Sequence, residues 1–278
     1  MIKPRLIQFR GRPSFECPVC EYDSSSEMDV ISHITVAHKG MVAPASPVEM
    51  QLSVVPTPLP VEGEYPKISC VMATKDRRAF VAESIKYFLA QTWPNKELLI
   101  VDDGSDGVCD LVNACEREEV KYIRSGPSTI GAKRNAGCRK ASGEFIAVWD
   151  DDEWQSPNRL AIQYYELAAK PEKQLCGIYR PVFGVIATKK LYLWNGRRPS
   201  KAWCSGSTIM FRRSLFEKVQ YPSKSVGEDT QFITDVPQEW VHQIEFSGFN
   251  VSFVHGSNTV TKNVSTGVYV ELGQPFPV

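Results

Sequence analysis

Four absences in the sequence limit the kind of protein it encodes. No stretch approaches the roughly 20 apolar residues of a membrane-spanning helix, and the amino terminus lacks the apolar segment of a secretory signal. Net charge is zero, because 32 basic residues balance 32 acidic ones, so no overall field attracts nucleic acid or a membrane. Six of the eight cysteines show no disulfide-framework spacing, namely Cys70, Cys109, Cys115, Cys138, Cys176 and Cys204. These absences predict a soluble protein of a reducing cytoplasm, the host's cytoplasm if the chain is viral, with no membrane partner.

A proline-rich segment divides the chain. Residues 41–66 contain six prolines and three acidic residues but no lysine or arginine, a composition typical of an extended, semi-rigid linker. We therefore predict three parts: residues 1–40, the linker 41–66 and a compact α/β domain over 67–278. A hydrophobic content of 42% is enough to supply the core of that domain.

The first part contains a zinc-ligand pattern. Two residues separate Cys17 from Cys20, twelve follow before His33, and four lie between His33 and His38. This is tetrahedral zinc-ligand spacing, and the segment resembles a ββα zinc finger of the two-Cys, two-His type, which implies a structural Zn²⁺. Basic residues precede it and could contact nucleic-acid phosphates, namely Lys3, Arg5, Arg10 and Arg12. Protein contact and a purely structural role are the alternatives.

In the larger part, an apolar run over residues 145–149 leads directly into three acids, Asp150, Asp151 and Asp152. The run predicts a buried strand, and adjacent carboxylates repel one another unless a cation lies among them. A divalent metal that holds a phosphate is the functional interpretation, and an acidic surface turn is the alternative. Ser156 is predicted to cap the following helix, with Pro157 in its first turn.

Two upstream strands are predicted to deliver polar groups to the same place. Residues 68–74 form a β-rich run that ends at Thr74 and Asp76, and residues 97–101 end at Asp102 and Asp103. Between them, residues 80–91 have helical apolar spacing. Since the carboxyl ends of parallel strands share one edge of a sheet, these groups are predicted to converge with the acids of residues 150–152 on one ligand.

Six blocks in order carry a resemblance to a known family. Over roughly residues 67–260 the chain resembles the family 2 glycosyltransferases of the GT-A fold, an α/β fold with a Rossmann-like nucleotide-diphospho-sugar domain. The blocks are CVMAT at 70–74, VDDGS at 101–105, GAKRNAG at 131–137, ASGEF with the acid triple at 141–152, SGSTIMFRR at 205–213 and GEDT at 227–230.

The resemblance implies a nucleotide-sugar donor. Asp102 would bind the donor's base, with Thr74 and Asp76 in the same pocket and Asp103 beside them. Asp151 would face the ribose. Hard oxygen ligands suit Mn²⁺ or Mg²⁺, either of which stabilises a departing diphosphate. The metal-ligand assignments that the resemblance implies are Asp152 first, then the extra acid Asp150 and the late histidine, His255.

Two of these assignments have structural alternatives. Arg134 could add a cation to the diphosphate site, or it could be a solvated helix residue paired with Glu144 or a neighbour. His255 could bind the metal, or it could be a buried structural histidine. Trp203 and Trp240 could stack on an acceptor, although aromatic residues near a core often only pack there.

Asp229 is the candidate general base. In inverting relatives the acid at this position takes the proton from an acceptor hydroxyl as that hydroxyl attacks the anomeric carbon. A single carboxylate suffices, because the diphosphate is already an activated leaving group. The alternative is a helix first turn in which Glu228 and Asp229 merely complement the helix dipole.

The sequence therefore predicts a metal-dependent, inverting glycosyltransferase of the hexosyltransferase type, which moves a sugar from a nucleoside diphosphate to a hydroxyl acceptor. One hypothesis makes that acceptor a modified base in DNA, brought close by the finger. Protein or small-molecule acceptors are alternatives. An alternative to the enzyme as a whole is a non-catalytic zinc-finger adaptor with a degenerate sugar-nucleotide fold. A nucleotidyltransferase is disfavoured, because no glycine-rich, arginine-containing loop follows the first strand.

Overall fold

A computed structural model of the chain divides it into two compact units, Met1–Glu49 and Met50–Val278. It describes residues 65–196, 201–245, 248–260, 263–264, 267–273 and 275–277, together with three short strands near the amino terminus. The boundary between the units falls inside the predicted linker. The finer division into residues 1–40, 41–66 and 67–278 stays a prediction.

The first unit contains an antiparallel sheet. Its strands are β1 (Arg5–Phe9), β2 (Arg12–Glu16) and β3 (Asp23–Ser24), in the order β1-β2-β3. β2 and β3 pair through Phe15 with Ser24 and Glu16 with Asp23, so the chain reverses direction between them. The four predicted zinc ligands, Cys17, Cys20, His33 and His38, lie outside the described residues, and the zinc finger stays a prediction.

The second unit is organised around a seven-stranded sheet in the order β13-β9-β12-β7-β4-β5-β6. The strands β7, β4, β5 and β6 are mutually parallel, and β12 runs antiparallel to both of its neighbours. The bounds are β4 (Ile68–Thr74), β5 (Lys96–Asp102), β6 (Val120–Arg124), β7 (Phe145–Val148), β9 (Leu175–Ile178), β12 (Met210–Arg212) and β13 (Val241–Ile244). The strands predicted at 68–74, 97–101 and 145–149 are thus confirmed.

A second sheet of five strands has the order β15-β11-β10-β14-β8. β10 runs parallel to β14, and the other pairs are antiparallel. The bounds are β8 (Glu153–Gln155), β10 (Val182–Val185), β11 (Lys190–Trp194), β14 (Asn250–Val254) and β15 (Tyr269–Leu272).

Helices connect the parallel strands, as crossovers between parallel strands require. Those between the parallel strands β4, β5, β6 and β7 are α1 (Arg78–Leu89), α2 (Val108–Ala114) and α3 (Ile130–Lys140). Further along the chain lie α4 (Arg159–Ala168), α5 (Arg213–Phe216) and α6 (Glu228–Asp235), with 3-10 turns at Gly206–Thr208 and Gln238–Trp240. The helix predicted over residues 80–91 is α1. Within the described parts of the chain, no helix combines the length and apolarity needed to cross a membrane.

β4 is buried on both faces, which explains its continuous apolar sequence. Ile68, Cys70 and Met72 pack into one hydrophobic cluster. Val71 points to the opposite face and joins a second cluster with Leu99 of β5. Since successive side chains of a strand alternate between faces, a strand between two helix layers must be apolar at almost every position.

The predicted helix cap at Ser156 is wrong. A short strand, β8, follows the acids instead, and its pairing with β14 continues to Ser156, whose N–H donates to the carbonyl of Phe249 at 3.0 Å. α4 begins only at Arg159, without a side-chain cap, and the Oγ of Ser156 accepts from the N–H of Asn158 at 3.3 Å. Pairing with a distant strand has prevailed over a local capping preference.

A buried carboxylate ties the amino-terminal ends of β4 and β5 to the turn before β7. Glu97 accepts hydrogen bonds from Ser69 Oγ at 2.6 Å, from the Ser142 N–H at 2.8 Å and from Lys121 Nζ at 2.7 Å. Burial alone would raise the pKa of Glu97, but these hydrogen bonds outweigh burial and lower its pKa from 4.5 to about 2.

We predict that Glu97→Gln lowers the free energy of unfolding at pH 7 by about 2 kcal/mol, the scale of hydrogen bonds to a charged group. The pKa is depressed in the folded state, so the stabilisation by Glu97 is complete above pH 4.5 and is lost as the pH falls towards about 2. Urea unfolding at several pH values measures this, with the exposed Glu118→Gln as control. A gap between wild type and variant that does not narrow below pH 4.5 would contradict the prediction.

Candidate active site

The site lies where three parallel strands end. β4 ends at Thr74, β5 ends at Asp102, and the acid triple follows β7. β7 and β5 flank β4 on opposite sides, so the strand order reverses between β4 and β7. Ligands of open α/β sheets bind at such a reversal, outside the carboxyl ends of the strands. Thr74 and Asp151 meet there, with Thr74 Oγ1 donating to Asp151 Oδ2 at 2.6 Å.

Asp151 is the most buried member of the acid triple, with a side chain only 2% exposed. Besides Thr74, it accepts a hydrogen bond from Arg77 Nη1 at 2.9 Å. Burial, and then the charge of Asp152, raises the pKa of Asp151 to about 7, although Arg77 and Thr74 act in the opposite direction. Further positive charge nearby would lower the pKa of Asp151.

Asp152 faces a cluster of nitrogen atoms. Its Oδ2 accepts from Arg77 Nη1 at 2.9 Å and lies 3.1 Å from His255 Nε2 and 3.3 Å from Asn258 Nδ2. The His255 ring stacks on Phe80 with 4.6 Å between ring centroids. Among the residues that the structure describes, no three His, Cys, Asp or Glu side chains form a ready-made metal site. The assignment of Asp152 and His255 as metal ligands stays a prediction.

Arg77 is a site residue that the sequence reasoning missed. Its Nη1 contacts both Asp151 and Asp152, and its Nη2 donates to the carbonyl of Ser257. Burial alone would lower the pKa of Arg77, but the two carboxylates outweigh it and raise the pKa further. The available signal was its place in the polar run directly after β4, where a basic side chain reaches the carboxyl edge of the sheet.

Asp150 points to a different arginine. Arg134, in α3, donates to Asp150 Oδ1 at 2.9 Å and to Glu228 Oε1 at 2.8 Å, with a side chain 5% exposed. Burial lowers the pKa of Arg134, and the surrounding negative groups, Asp150 foremost, raise it by more. The alternative of a solvated Arg134 paired with Glu144 is therefore wrong. The assignment of Asp150 as a metal ligand stays a prediction.

The carboxylates after β5 are held by their own partners. Asp102 accepts from the Gly104 N–H at 2.7 Å and from the Tyr122 hydroxyl at 3.1 Å. Asp103 accepts from Lys133 Nζ at 2.6 Å, and hydrogen bonds from Lys133 and the Ser128 N–H prevail over burial to lower the pKa of Asp103.

The buried Lys133 links this group to the acid triple. Its ammonium group also donates to the carbonyl of Thr74 at 2.7 Å, and Thr74 in turn bonds Asp151. Asp76 follows β4 by two residues and has a positive φ of 51°. Its Oδ1 accepts a hydrogen bond from the Ser105 N–H at 2.6 Å. Hydrogen bonds from Ser105 lower the pKa of Asp76.

Asp229 approaches from another element. Gly227, with φ of 70°, precedes α6, which puts Glu228 and Asp229 in its first turn. Asp229 Oδ1 accepts from the Thr230 N–H at 2.6 Å. Gly206 packs directly against this carboxylate, because a Cβ atom at Gly206 would lie 2.0 Å from Asp229 Oδ2. Only glycine leaves room for the side chain of Asp229 in this position.

These groups line one cleft of about 300 Å³. The acid triple, Arg134 and Asp229 all contribute to it, whereas Thr74, Asp76, Asp102 and Asp103 lie outside the lining. Trp203 lines the cleft as well. Trp240 does not; it packs beside a hydrophobic cluster, with Lys218 Nζ 4.8 Å from its ring centre. The cleft therefore combines the acid triple and two arginines with a carboxylate from another element, Asp229.

The profile of "Glycosyl transferase family 2" matches residues 69–220, the region that contains β4 to β7 and the acid triple. The chain belongs to this family. Its larger unit is a glycosyltransferase domain with a mixed α/β, GT-A-like fold and a Rossmann-like sheet, as the sequence predicted for this part.

Among curated relatives, an uncharacterized glycosyltransferase of Rickettsia conorii is 35% identical over 99 residues, which are 35% of this chain but 16% of that protein. An uncharacterized glycosyltransferase of Haemophilus influenzae is 24% identical over 213 residues, which are 71% of this chain and 83% of that protein. The chain thus matches only a minor part of some relatives and most of another.

Solved structures share the fold at low identity. TarS of S. aureus, residues 1–349 in complex with UDP-GlcNAc, has a TM-score of 0.54 and 16% identity, over 69% of this chain and 60% of that one. The mannosyltransferase PcManGT of Pyrobaculum calidifontis, in complex with GDP-Man and Mn²⁺, has a TM-score of 0.56 and 17% identity, over 70% and 59%.

We predict that Gly206→Ala displaces Asp229 and lowers turnover of a nucleotide-sugar donor at least about tenfold, because an ångström-scale misplacement of a reacting group costs one to two orders of magnitude. Gly126→Ala is the matched control, since a Cβ atom there meets nothing within 4 Å. Initial rates of nucleoside diphosphate release measure the effect, with melting temperatures recorded alongside. Equal rates for both variants would contradict the role of Gly206.

Proposed function

We propose that this protein transfers a sugar from a nucleoside diphosphate sugar to a hydroxyl acceptor with inversion at the anomeric carbon. The single observation that carries the proposal is that the acid triple and Asp229, which come from distant segments, line the same cleft. One group of acids suits the diphosphate side of a donor, and the separate carboxylate suits the acceptor side.

The donor's nucleoside is assigned to the ends of β4 and β5. Asp102 binds the base, with Thr74, Asp76 and Asp103 around it, and Asp151 faces the ribose. Support comes from the hydrogen-bonded chain that runs from Asp151 through Thr74 and Lys133 to Asp103, which fixes these groups relative to one another. Preorganised polar groups cost little reorganisation when a ligand binds.

A divalent cation, Mn²⁺ or Mg²⁺, fits the residues present. Asp152 and His255 supply a hard oxygen and a nitrogen, with Asp150 as a further candidate, and Mg²⁺-type sites often take only one or two carboxylates from the protein and complete their shell with phosphates and water. The contacts from Arg77 to Asp151 and Asp152 support this, because they mark a place that demands positive charge. When bound, the cation would neutralise charge on the departing diphosphate.

Asp229 is assigned as the general base. It takes the proton of the acceptor hydroxyl while the hydroxyl oxygen forms a bond to the anomeric carbon, and the bonding pair between that carbon and the diphosphate oxygen leaves with the diphosphate. The Glu228–Arg134–Asp150 contacts support this role, since they tie the first turn of α6 to the acid triple. Proton NMR of the product's anomeric configuration tests inversion.

We predict that Asp229→Asn lowers the rate of sugar transfer by about 10²–10⁴, the usual contribution of a positioned general base. Donor affinity should change little, because Asp229 is assigned to the acceptor. Asp235→Asn, at the exposed end of the same helix, is the control. Calorimetry with UDP and GDP in the presence of Mn²⁺ measures affinity. Unchanged transfer by Asp229→Asn would remove Asp229 from this role.

We predict that Asp152→Asn weakens Mn²⁺ binding in the presence of nucleoside diphosphate by about tenfold or more, because an amide replaces an anionic ligand. Asp110→Asn, in an exposed ion pair with Arg78, is the control. Titration of free Mn²⁺ by electron paramagnetic resonance measures binding directly. Identical Mn²⁺ affinity in Asp152→Asn and wild type would contradict the assignment of Asp152 as a metal ligand.

The amino-terminal unit is assigned a recruiting role, through a Zn²⁺ held by Cys17, Cys20, His33 and His38. The hypothesis of nucleic acid as its target is tested by gel retardation with and without residues 1–40 at stated salt. Binding that does not depend on those residues would end it. The adaptor alternative, a degenerate fold without catalysis, is tested by Mn²⁺-dependent hydrolysis of UDP-glucose, UDP-GlcNAc and GDP-mannose, and hydrolysis of any of them would exclude it.

A further inference from the structure

The cleft lining includes apolar residues besides the acids and arginines. Pro181, Phe183 and Trp203 belong to the lining, and so do Val226 and Val260. These two valines are 60% and 51% exposed, and they are two of the four large hydrophobic residues that the structure exposes among its described residues. Exposed apolar side chains at the mouth of a cleft mark a surface that a ligand covers.

Trp203 is held in place rather than loosely exposed. Its ring packs on Trp194 with 5.6 Å between centroids, and Trp194 packs edge-on against Tyr179 at 5.8 Å. Its backbone carbonyl accepts a hydrogen bond from Gln243 Nε2 at 2.6 Å. An aromatic side chain that is fixed by packing and belongs to the lining of a cleft offers an apolar surface to a ring-shaped ligand.

Trp203 also lies close to the proposed base. It precedes Gly206 by three residues, so their Cα atoms are separated by at most about 11 Å. Gly206 in turn packs directly on Asp229. A ligand about one ring long could therefore touch Trp203 and present a hydroxyl group to Asp229.

The charge of the cleft lining argues against an anionic acceptor. The lining contains six carboxylate side chains, namely Asp150, Asp151, Asp152, Glu153, Glu228 and Asp229. Against these stand two arginines, Arg77 and Arg134, and the described lining contains no lysine. Both arginines are already engaged by carboxylates. A donor diphosphate and a divalent cation have roughly opposite charges, so together they leave this balance almost unchanged.

We propose that the acceptor is an uncharged pyranose ring, which stacks its C–H face on Trp203 and directs one hydroxyl group to Asp229. This inference rests on the proposed function and narrows its acceptor. A pyranose has both an apolar face and hydroxyl groups along its edge, which matches an aromatic platform beside a carboxylate. Polyprenyl phosphates and hydroxymethylated bases in DNA carry the phosphates that this cleft repels.

The test compares neutral acceptors with phosphorylated ones. With the donor that is hydrolysed among UDP-glucose, UDP-GlcNAc and GDP-mannose, methyl pyranosides of glucose, galactose, mannose and GlcNAc are assayed beside their 6-phosphates, a polyprenyl phosphate and a 5-hydroxymethylcytosine oligonucleotide. At least one neutral pyranoside should exceed its 6-phosphate in kcat/KM by about tenfold or more, the scale of one unfavourable charge contact. Added salt should narrow that difference, since salt screens repulsion between charges.

The outcomes separate this inference from the proposed function. Preferred use of a 6-phosphate, the polyprenyl phosphate or the oligonucleotide overturns the inference and leaves the proposed function standing. The same holds if donor hydrolysis occurs but no neutral pyranoside is glycosylated. If no donor is hydrolysed at all, the proposed function fails, and the acceptor assignment fails with it.

A second measurement isolates the stacking contact. Trp203→Ala should raise KM for the preferred pyranoside by about tenfold, the effect of losing roughly 1.4 kcal/mol of contact. Trp203→Phe, which keeps an aromatic face, should restore most of the affinity. Trp240→Ala, which lies outside the cleft, should leave KM within about twofold. An equal rise in Trp240→Ala, or no rise in Trp203→Ala, would overturn the stacking assignment.

Discussion

The mutual repulsion of carboxylates at the carboxyl edge of the sheet is the constraint on which the rest of the site depends. Asp150, Asp151 and Asp152 follow one strand, and in the fold two arginines divide them between themselves. Arg134 holds Asp150, and Arg77 holds the other two. Buried charges must be paired or neutralised, so these two arginines are a condition for forming the site at all.

This pairing also connects distant parts of the chain. Arg134 joins α3 to the first turn of α6 through Glu228, and Arg77 joins the start of α1 to the loop after β14 through Ser257. Arg134 therefore connects the acid triple to the helix that carries Asp229, and Arg77 connects the acid triple to the loop after β14. We expect a change at Arg134 to disturb both the acid triple and the first turn of α6, and a change at Arg77 to disturb the acid triple.

Sequence patterns predicted much of this arrangement, and their failures have physical causes. Apolar runs that end in polar residues located β4, β5 and β7, because a strand that is buried on both faces has an almost continuous apolar sequence. The same reasoning missed β8 and misplaced the start of α4, since pairing with β14 involves residues about a hundred positions away. Arg77 escaped notice because nothing in a run of basic residues indicates which one turns towards the acids. Trp203 lines the cleft and Trp240 does not, and this difference depends on tertiary packing that residue spacing does not encode.

Anomalous diffraction from crystals soaked with Mn²⁺ together with UDP or GDP locates the cation that these carboxylates are proposed to hold. We expect a manganese peak beside Asp152 and His255, in contact with the diphosphate, and an Arg77 side chain that has moved away from Asp152. A peak elsewhere in the molecule, or an intact Arg77–Asp152 contact with the diphosphate bound and no manganese beside it, would show that the acids do not bind the metal.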